Sequence, residues 1–265
     1  MKQRIITGVI GGLILLGAVI AGGFICLLAF LLIGTIAMYE LLKMKNIQPF
    51  SFAGALSFLF VWFLLIPTTW LKLPFMSHLS KAEFFLILIL FLLALTVITK
   101  NTFSFDEAGF VILSSVYIGF GLHHFLLARS VEETGLLLVF YILFTIWSTD
   151  TGAYLVGRKW GRHKLWSAIS PKKTIEGFVG GIGLAIVIGF SLHFFVPLFP
   201  SVSTLLLFLI VTSIFGQFGD LVESALKRHY EVKDSGDLLP GHGGILDRFD
   251  SLIFVMPILH LFDFF

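Results

Sequence analysis

The sequence predicts an all-α protein that crosses a membrane many times. Of its 265 residues 57% are hydrophobic and only 13% charged, about half of the roughly 25% charge that soluble domains carry. The apolar residues run unbroken, as in LLGAVIAGGFICLLAFLLIG, whereas a transmembrane barrel alternates apolar and polar residues over short segments. Thirty-one Phe and 26 Gly suit lipid-facing bulk combined with close helix contacts. The single Cys26 lies inside an apolar run and has no partner for an intrachain disulfide.

About 20 apolar residues cover a hydrocarbon core of roughly 30 Å. Ile5 to Leu42 has room for two spans if the chain turns near Ala21, Gly22 and Gly23. Further stretches run from Ala53 to Leu71, Glu83 to Thr99, Ala108 to Leu127, Gly135 to Val156, Gly177 to Pro197, Thr204 to Ala225 and Phe249 to Phe265, several of them short. That makes about nine crossings. With Lys2 and Arg4 cytoplasmic, the same side receives Lys43, Lys45, Lys100, Arg158, Lys159, Arg162, Lys164, Lys172, Lys173, Lys227, Arg228, Lys233 and Arg248, while the other keeps Lys72, Lys81 and Arg129. That asymmetry is what the positive-inside rule requires of a cytoplasmic N-terminus. Small-xxx-small pairs at Gly8 and Gly12 and at Gly177 and Gly181 suit ordinary helix packing.

Residues 1–145, about five spans, read as scaffold: their charges, such as Glu40, Asp106 and Glu107, are scattered at helix ends. Residues 146–265, about four spans with cytoplasmic loops at 157–175 and 227–248, hold the polar clusters. Asp220, Glu223 and Lys227 recur at three and four residues and line one helix face. Ionised groups at membrane depth cost about 2.5–3.5 kcal/mol each. A structural ion pair accounts for Glu223 and Lys227 as well as a functional role does. Asp220 has Ser224 rather than a base at i+4, and better suits a metal or a polar cavity. In LLPGHGGILDRFD the glycines permit inward-turned N–H groups that face an anion. Asp247 and Asp250 follow at i and i+3, around Arg248, and could equally cap a helix. In ISPKKTIEG, Ser170, Lys172, Lys173 and Thr174 lead into a helix N-terminus, either as an anion site or as a basic loop facing anionic lipid. Asp150 in TIWSTDTGAY is either functional or a cavity-facing acid paired with a loop base. Together the acids, bases and glycines describe a site for a phosphate chain with a divalent metal. Hard oxygen donors suit Mg²⁺, and His242 lacks a second His or Cys at zinc-ligand spacing.

SALKRHYEVKDSGDLLPGHGGILDRFD, residues 224–250, resembles the signature of the phosphatidate cytidylyltransferase (CDP-diacylglycerol synthase) family at every fixed position. ISPKKTIEG and WSTDTGAY are similar to the same family's upstream segments. The resemblance covers roughly residues 145–265. It implies a membrane nucleotidyltransferase of phospholipid biosynthesis in the cell membrane, its site facing the cytoplasm. The implied reaction converts CTP and phosphatidate to CDP-diacylglycerol and pyrophosphate with Mg²⁺. Asp220, Asp247, Lys227 and Arg248 are the expected catalytic residues. Asp220, Glu223, Asp247 and Asp250 are expected to hold Mg²⁺, with room for a second, monovalent cation. Ser170, Lys172, Lys173, Thr174, Arg228, Lys233, His242, Gly243 and Gly244 are expected to bind substrate. A homodimer is a further expectation, and no nucleic-acid partner is expected. The alternatives are a CTP-dependent polyprenol or phytol kinase, which releases CDP, and a secondary transporter. Transporters place their acids near the midplane between inverted repeats, whereas these gather beside basic loops with no visible repeat.

Overall fold

The computed structural model describes residues 2–67, 81–236 and 243–265, the side chains of 2–9 and 81 excepted. His242, with Pro240 and Gly241, lies outside them, as do Lys72 and the end of the stretch from Ala53 to Leu71. Nine helices occupy the described residues: α1 (Lys2–Ala21), α2 (Gly23–Met44), α3 (Phe52–Leu65), α4 (Lys81–Ile98), α5 (Phe105–Ser130), α6 (Gly135–Trp160), α7 (Ile175–Phe195), α8 (Val202–His229) and α9 (Leu246–Leu261). Each falls on one of the apolar stretches. Five of them, α2, α5, α6, α7 and α8, are long and apolar enough to cross a membrane. The 14-residue α3 rises only about 21 Å at 1.5 Å per residue.

The departure from an all-α chain is a short antiparallel hairpin between α6 and α7, β1 (Lys164–Trp166) and β2 (Ser170–Thr174), which pairs Lys164 with Thr174 and Trp166 with Ser170. Glu176 anchors it, accepting from the Arg162 N–H at 3.0 Å and meeting His163 Nδ1 at 2.6 Å. Thr174 caps α7 by accepting from the Gly177 N–H. The loop expected at 227–248 is shorter than its polarity suggests. Lys227, Arg228 and His229 form the last turn of α8, and Arg248 lies on α9. Cations in a last helical turn complement its carbonyl end.

Helix contacts explain the glycines. Between α6 and α7, a Cβ on Gly177 would lie 2.8 Å from the Ala153 carbonyl oxygen, and one on Gly181 2.7 Å from that of Thr149. Small residues let the two backbones meet, as expected for the second small-xxx-small pair. Gly12 of the first pair meets nothing within 4 Å, because that part of α1 is peripheral and Leu13 and Ile14 are exposed. The break between α1 and α2 falls at Gly22, with φ 66°. Arg129 donates there to the carbonyls of Val19 and Ile20, which end α1. In α9, Pro257 has no N–H to give Ile253. α5 passes that carbonyl so closely that a Cβ on Gly121 would sit 2.5 Å from its oxygen. The main core, with Phe30, Ile118, Phe125, Phe208 and Met256, joins α2, α5, α8 and α9.

Candidate active site

α8 and α9 bring the acids together by crossing at a glycine. A Cβ on Gly219 would lie 2.8 Å from the Asp250 carbonyl oxygen and 2.8 Å from Phe254 Cβ. Only hydrogen fits there, and so Asp220 and Asp250 belong to one crossing point. Lys227, one turn beyond Glu223, bridges the helices. Its Nζ lies 2.7 Å from Glu223 Oε2 and 2.5 Å from Asp247 Oδ1. The Glu223–Lys227 ion pair thus exists, but as half of an interhelical bridge. The other oxygen, Glu223 Oε1, is buried with no hydrogen-bond partner among the described residues. Ser224 Oγ donates to Asp220 Oδ1 at 3.2 Å, the i+4 partner that the spacing indicates. The cation for Asp220 comes from the hairpin: Lys173 Nζ stands 2.7 Å from its Oδ2.

Between the hairpin, α6, α7 and α8 lies a cavity of about 420 Å³, lined in part by Asp150, Arg158, Lys172, Lys173, Gln217 and Asp220. Asp150, for which two roles stayed open, therefore faces this cavity with two loop lysines. Thr174 also lines it while capping α7. Ser170 opens β2. Arg228 is turned toward the hairpin and its own loop, donating to the carbonyls of Ile169 and Val232. Lys233 and Arg248 are exposed.

The glycine-rich turn holds carboxylates of the chain itself. Gly243 has φ 81°, and the N–H of Gly244 donates to Asp247 Oδ2 at 2.8 Å. Asp247 Oδ2 also accepts from the backbone N–H and the hydroxyl of Ser235, each at 3.0 Å. Asp247, in the first turn of α9, therefore ties the chain on both sides of the turn together and meets Lys227 at once. The first half of the chain supplies two residues missed in the sequence. Tyr117 of α5 reaches the Asp250 carbonyl at 3.5 Å. Glu40 of α2 is 2% exposed and accepts from Ile245 N at 2.8 Å, Leu246 N at 2.9 Å and Ser235 Oγ at 2.8 Å. Side chains of residues 1–145 thus also reach the turn before α9 and the Asp250 backbone. The available signal for Glu40 was a carboxylate inside an apolar helix, costly unless satisfied.

Among the described residues no three His, Cys, Asp or Glu side chains form a preformed metal cage. The donors are nonetheless of the hard-oxygen kind: Asp220 and Glu223 on α8 and Asp247 and Asp250 on α9, Glu223 with a buried oxygen lacking a partner among the described residues.

A family model described as "Cytidylyltransferase family" matches residues 2–265. The chain belongs to the cytidylyltransferase family. It is 48% identical to the phosphatidate cytidylyltransferase of Bacillus subtilis (strain 168), over 98% of this chain and 96% of the relative. It is 44% identical to that of Staphylococcus epidermidis (strain ATCC 12228 / FDA PCI 1200) and 40% identical to that of Staphylococcus aureus (strain COL), each over 98% of both chains. The match extends through α1 to α5, which the signature segments leave uncovered.

Proposed function

We propose that this chain transfers the cytidylyl group of CTP to phosphatidate, giving CDP-diacylglycerol and pyrophosphate at the cytoplasmic face of a cell membrane. The observation that carries this function is the Lys173–Asp220 pair in the cavity wall, on the same helix as the Glu223–Lys227–Asp247 bridge, in a chain matched throughout by relatives of that name. The phosphomonoester of phosphatidate, with a second pKa near 6, is largely dianionic at pH 7. Such a nucleophile needs no strong general base. The obstacle is repulsion between an anion and a polyanion, and positioning with charge neutralisation removes it. Lys172 and Lys173 on the hairpin, with Arg158 at the cavity wall, receive the phosphates. Lys173 moves from Asp220 to a phosphate oxygen as the nucleotide enters, which frees the Asp220 carboxylate. Lys227 holds Asp247 and Glu223 in register, and Arg248 and Lys233 add positive charge at the rim.

Mg²⁺, when bound, neutralises phosphate charge, and it needs only one or two carboxylates together with substrate oxygens. Asp220 and Asp247 would be the first residues to hold it, with Glu223 and Asp250 next; four acids would leave room for a second, monovalent cation. Nine crossings with a cytoplasmic N-terminus put the hairpin and the turn before α9 on the nucleotide's side, and the protein acts as a homodimer.

Purified protein supplied with α-labelled CTP and phosphatidate, with and without Mg²⁺, should release pyrophosphate and labelled lipid only when all three are present. Release of CDP instead would indicate kinase chemistry. Asp220→Asn or Asp247→Asn should nearly abolish turnover, and full activity of both purified variants would overturn the metal assignment.

A further inference from the structure

Glu40 lies 205 residues away from Ile245 in sequence, yet its carboxylate accepts from the chain on both sides of the turn. Oε1 accepts from Ile245 N, and Oε2 accepts from Leu246 N and Ser235 Oγ. The backbone is shaped around it. A Cβ on Gly236 would lie 2.6 Å from Glu40 Oε1, and one on Gly244 2.4 Å from Oε2. The Ser235 hydroxyl lies 2.8 Å from Glu40 Oε2 and 3.0 Å from Asp247 Oδ2, so one group touches both carboxylates. Asp247 is oriented by the same few atoms, with Oδ2 on Ser235 N and Gly244 N and Oδ1 on Lys227. A buried carboxylate satisfied by two backbone N–H groups of one segment and a hydroxyl from another is a rigid clamp.

We infer that Glu40 is a positioning residue for cytidylyl transfer: it holds Ser235 and the first turn of α9 so that Asp247 presents its carboxylate toward Lys227 and the cation it is proposed to hold. This rests on the cytidylyl-transfer function proposed above. Glu40 touches no substrate and acts through Ser235 and the α9 N-terminus. Loss of such a supporting partner typically costs about 10- to 100-fold in activity or metal affinity. The cost should fall on kcat and on the Mg²⁺ requirement, since the hairpin and cavity residues that receive CTP are elsewhere.

The test compares full-length Glu40→Gln with wild type. Gln keeps the size but turns an NH₂ toward donors, breaking part of the clamp. The expected result is a kcat about tenfold lower or more, a raised Mg²⁺ midpoint and a KM for CTP within about twofold. Hydrogen exchange should be faster at the amides of Ile245 and Leu246 and unchanged in α6. Ser235→Ala, which removes the shared hydroxyl, should move the same quantities in the same direction, and it decides the matter if Glu40→Gln fails to fold. Unchanged kcat despite faster exchange at 245–246 overturns the inference, as does a fall in kcat that matches only the loss of folded protein. A wild type releasing no pyrophosphate defeats the reaction itself; an active wild type with equally active variants defeats only the role of Glu40.

Discussion

Lys227→Met isolates the interhelical bridge. The amine is shared by two carboxylates, and the three side chains are nearly dry: 12% exposed for Lys227, 1% for Glu223 and 9% for Asp247. Asp247 keeps three donors from Ser235 and Gly244 after the substitution. Glu223 keeps no cation or neutral donor, only the neighbouring Asp247 carboxyl, its other oxygen having no partner among the described residues. The penalty therefore falls chiefly on Glu223. Removing one partner of a buried pair costs about 3–5 kcal/mol, and with Asp247 still satisfied the lower end applies, about 3 kcal/mol. At roughly 2–4 °C per kcal/mol for a chain of this size, the melting temperature of the purified protein in detergent should fall by about 6–12 °C. Adding Glu223→Gln removes the stranded charge and should restore more than half of that loss. Cytidylyl transfer should stay low in both variants because Asp247 has lost its cation. The reasoning fails if Lys227→Met melts within about 2 °C of wild type, or if Glu223→Gln destabilises the Lys227→Met protein further.

Lys173→Met breaks a partly exposed pair, its side chains 25% and 38% exposed, and should cost less than about 1 kcal/mol of stability. The KM for CTP should nevertheless rise about tenfold, the worth of one charge-assisted phosphate contact, as steady-state kinetics would show. Gly219→Ala places a Cβ 2.8 Å from the Asp250 carbonyl oxygen and should cost about 1–3 kcal/mol by overpacking, with a larger loss of turnover. Gly183→Ala, with nothing within 4 Å, should melt and turn over like wild type. Glu176→Ala removes the acceptor of the Arg162 and His163 N–H groups. Limited trypsin digestion should then cut faster after Arg162 and Lys164, and activity should fall with the loosened support of Lys173.

Sequence alone decided what depends on composition and local spacing. Continuous apolar runs demand helices in lipid because every backbone polar group must be satisfied within its own segment, and nine runs became nine helices among the described residues. The face of α8 was equally legible, since Asp220, Glu223, Ser224 and Lys227 meet by helical periodicity. Tertiary structure decided everything carried by long sequence separations. No local pattern pairs Lys173 with Asp220 or turns the glycines near α9 toward Glu40 and Asp247. The same glycines suit an anion from solution or a carboxylate from another helix, because both offer oxygen to the same N–H groups. Packing α2 and α5 against α9 places a carboxylate from the first half of the chain there, and Glu40, a lone acid in an apolar helix by its neighbours in sequence, comes to lie beside Ser235 and the start of α9.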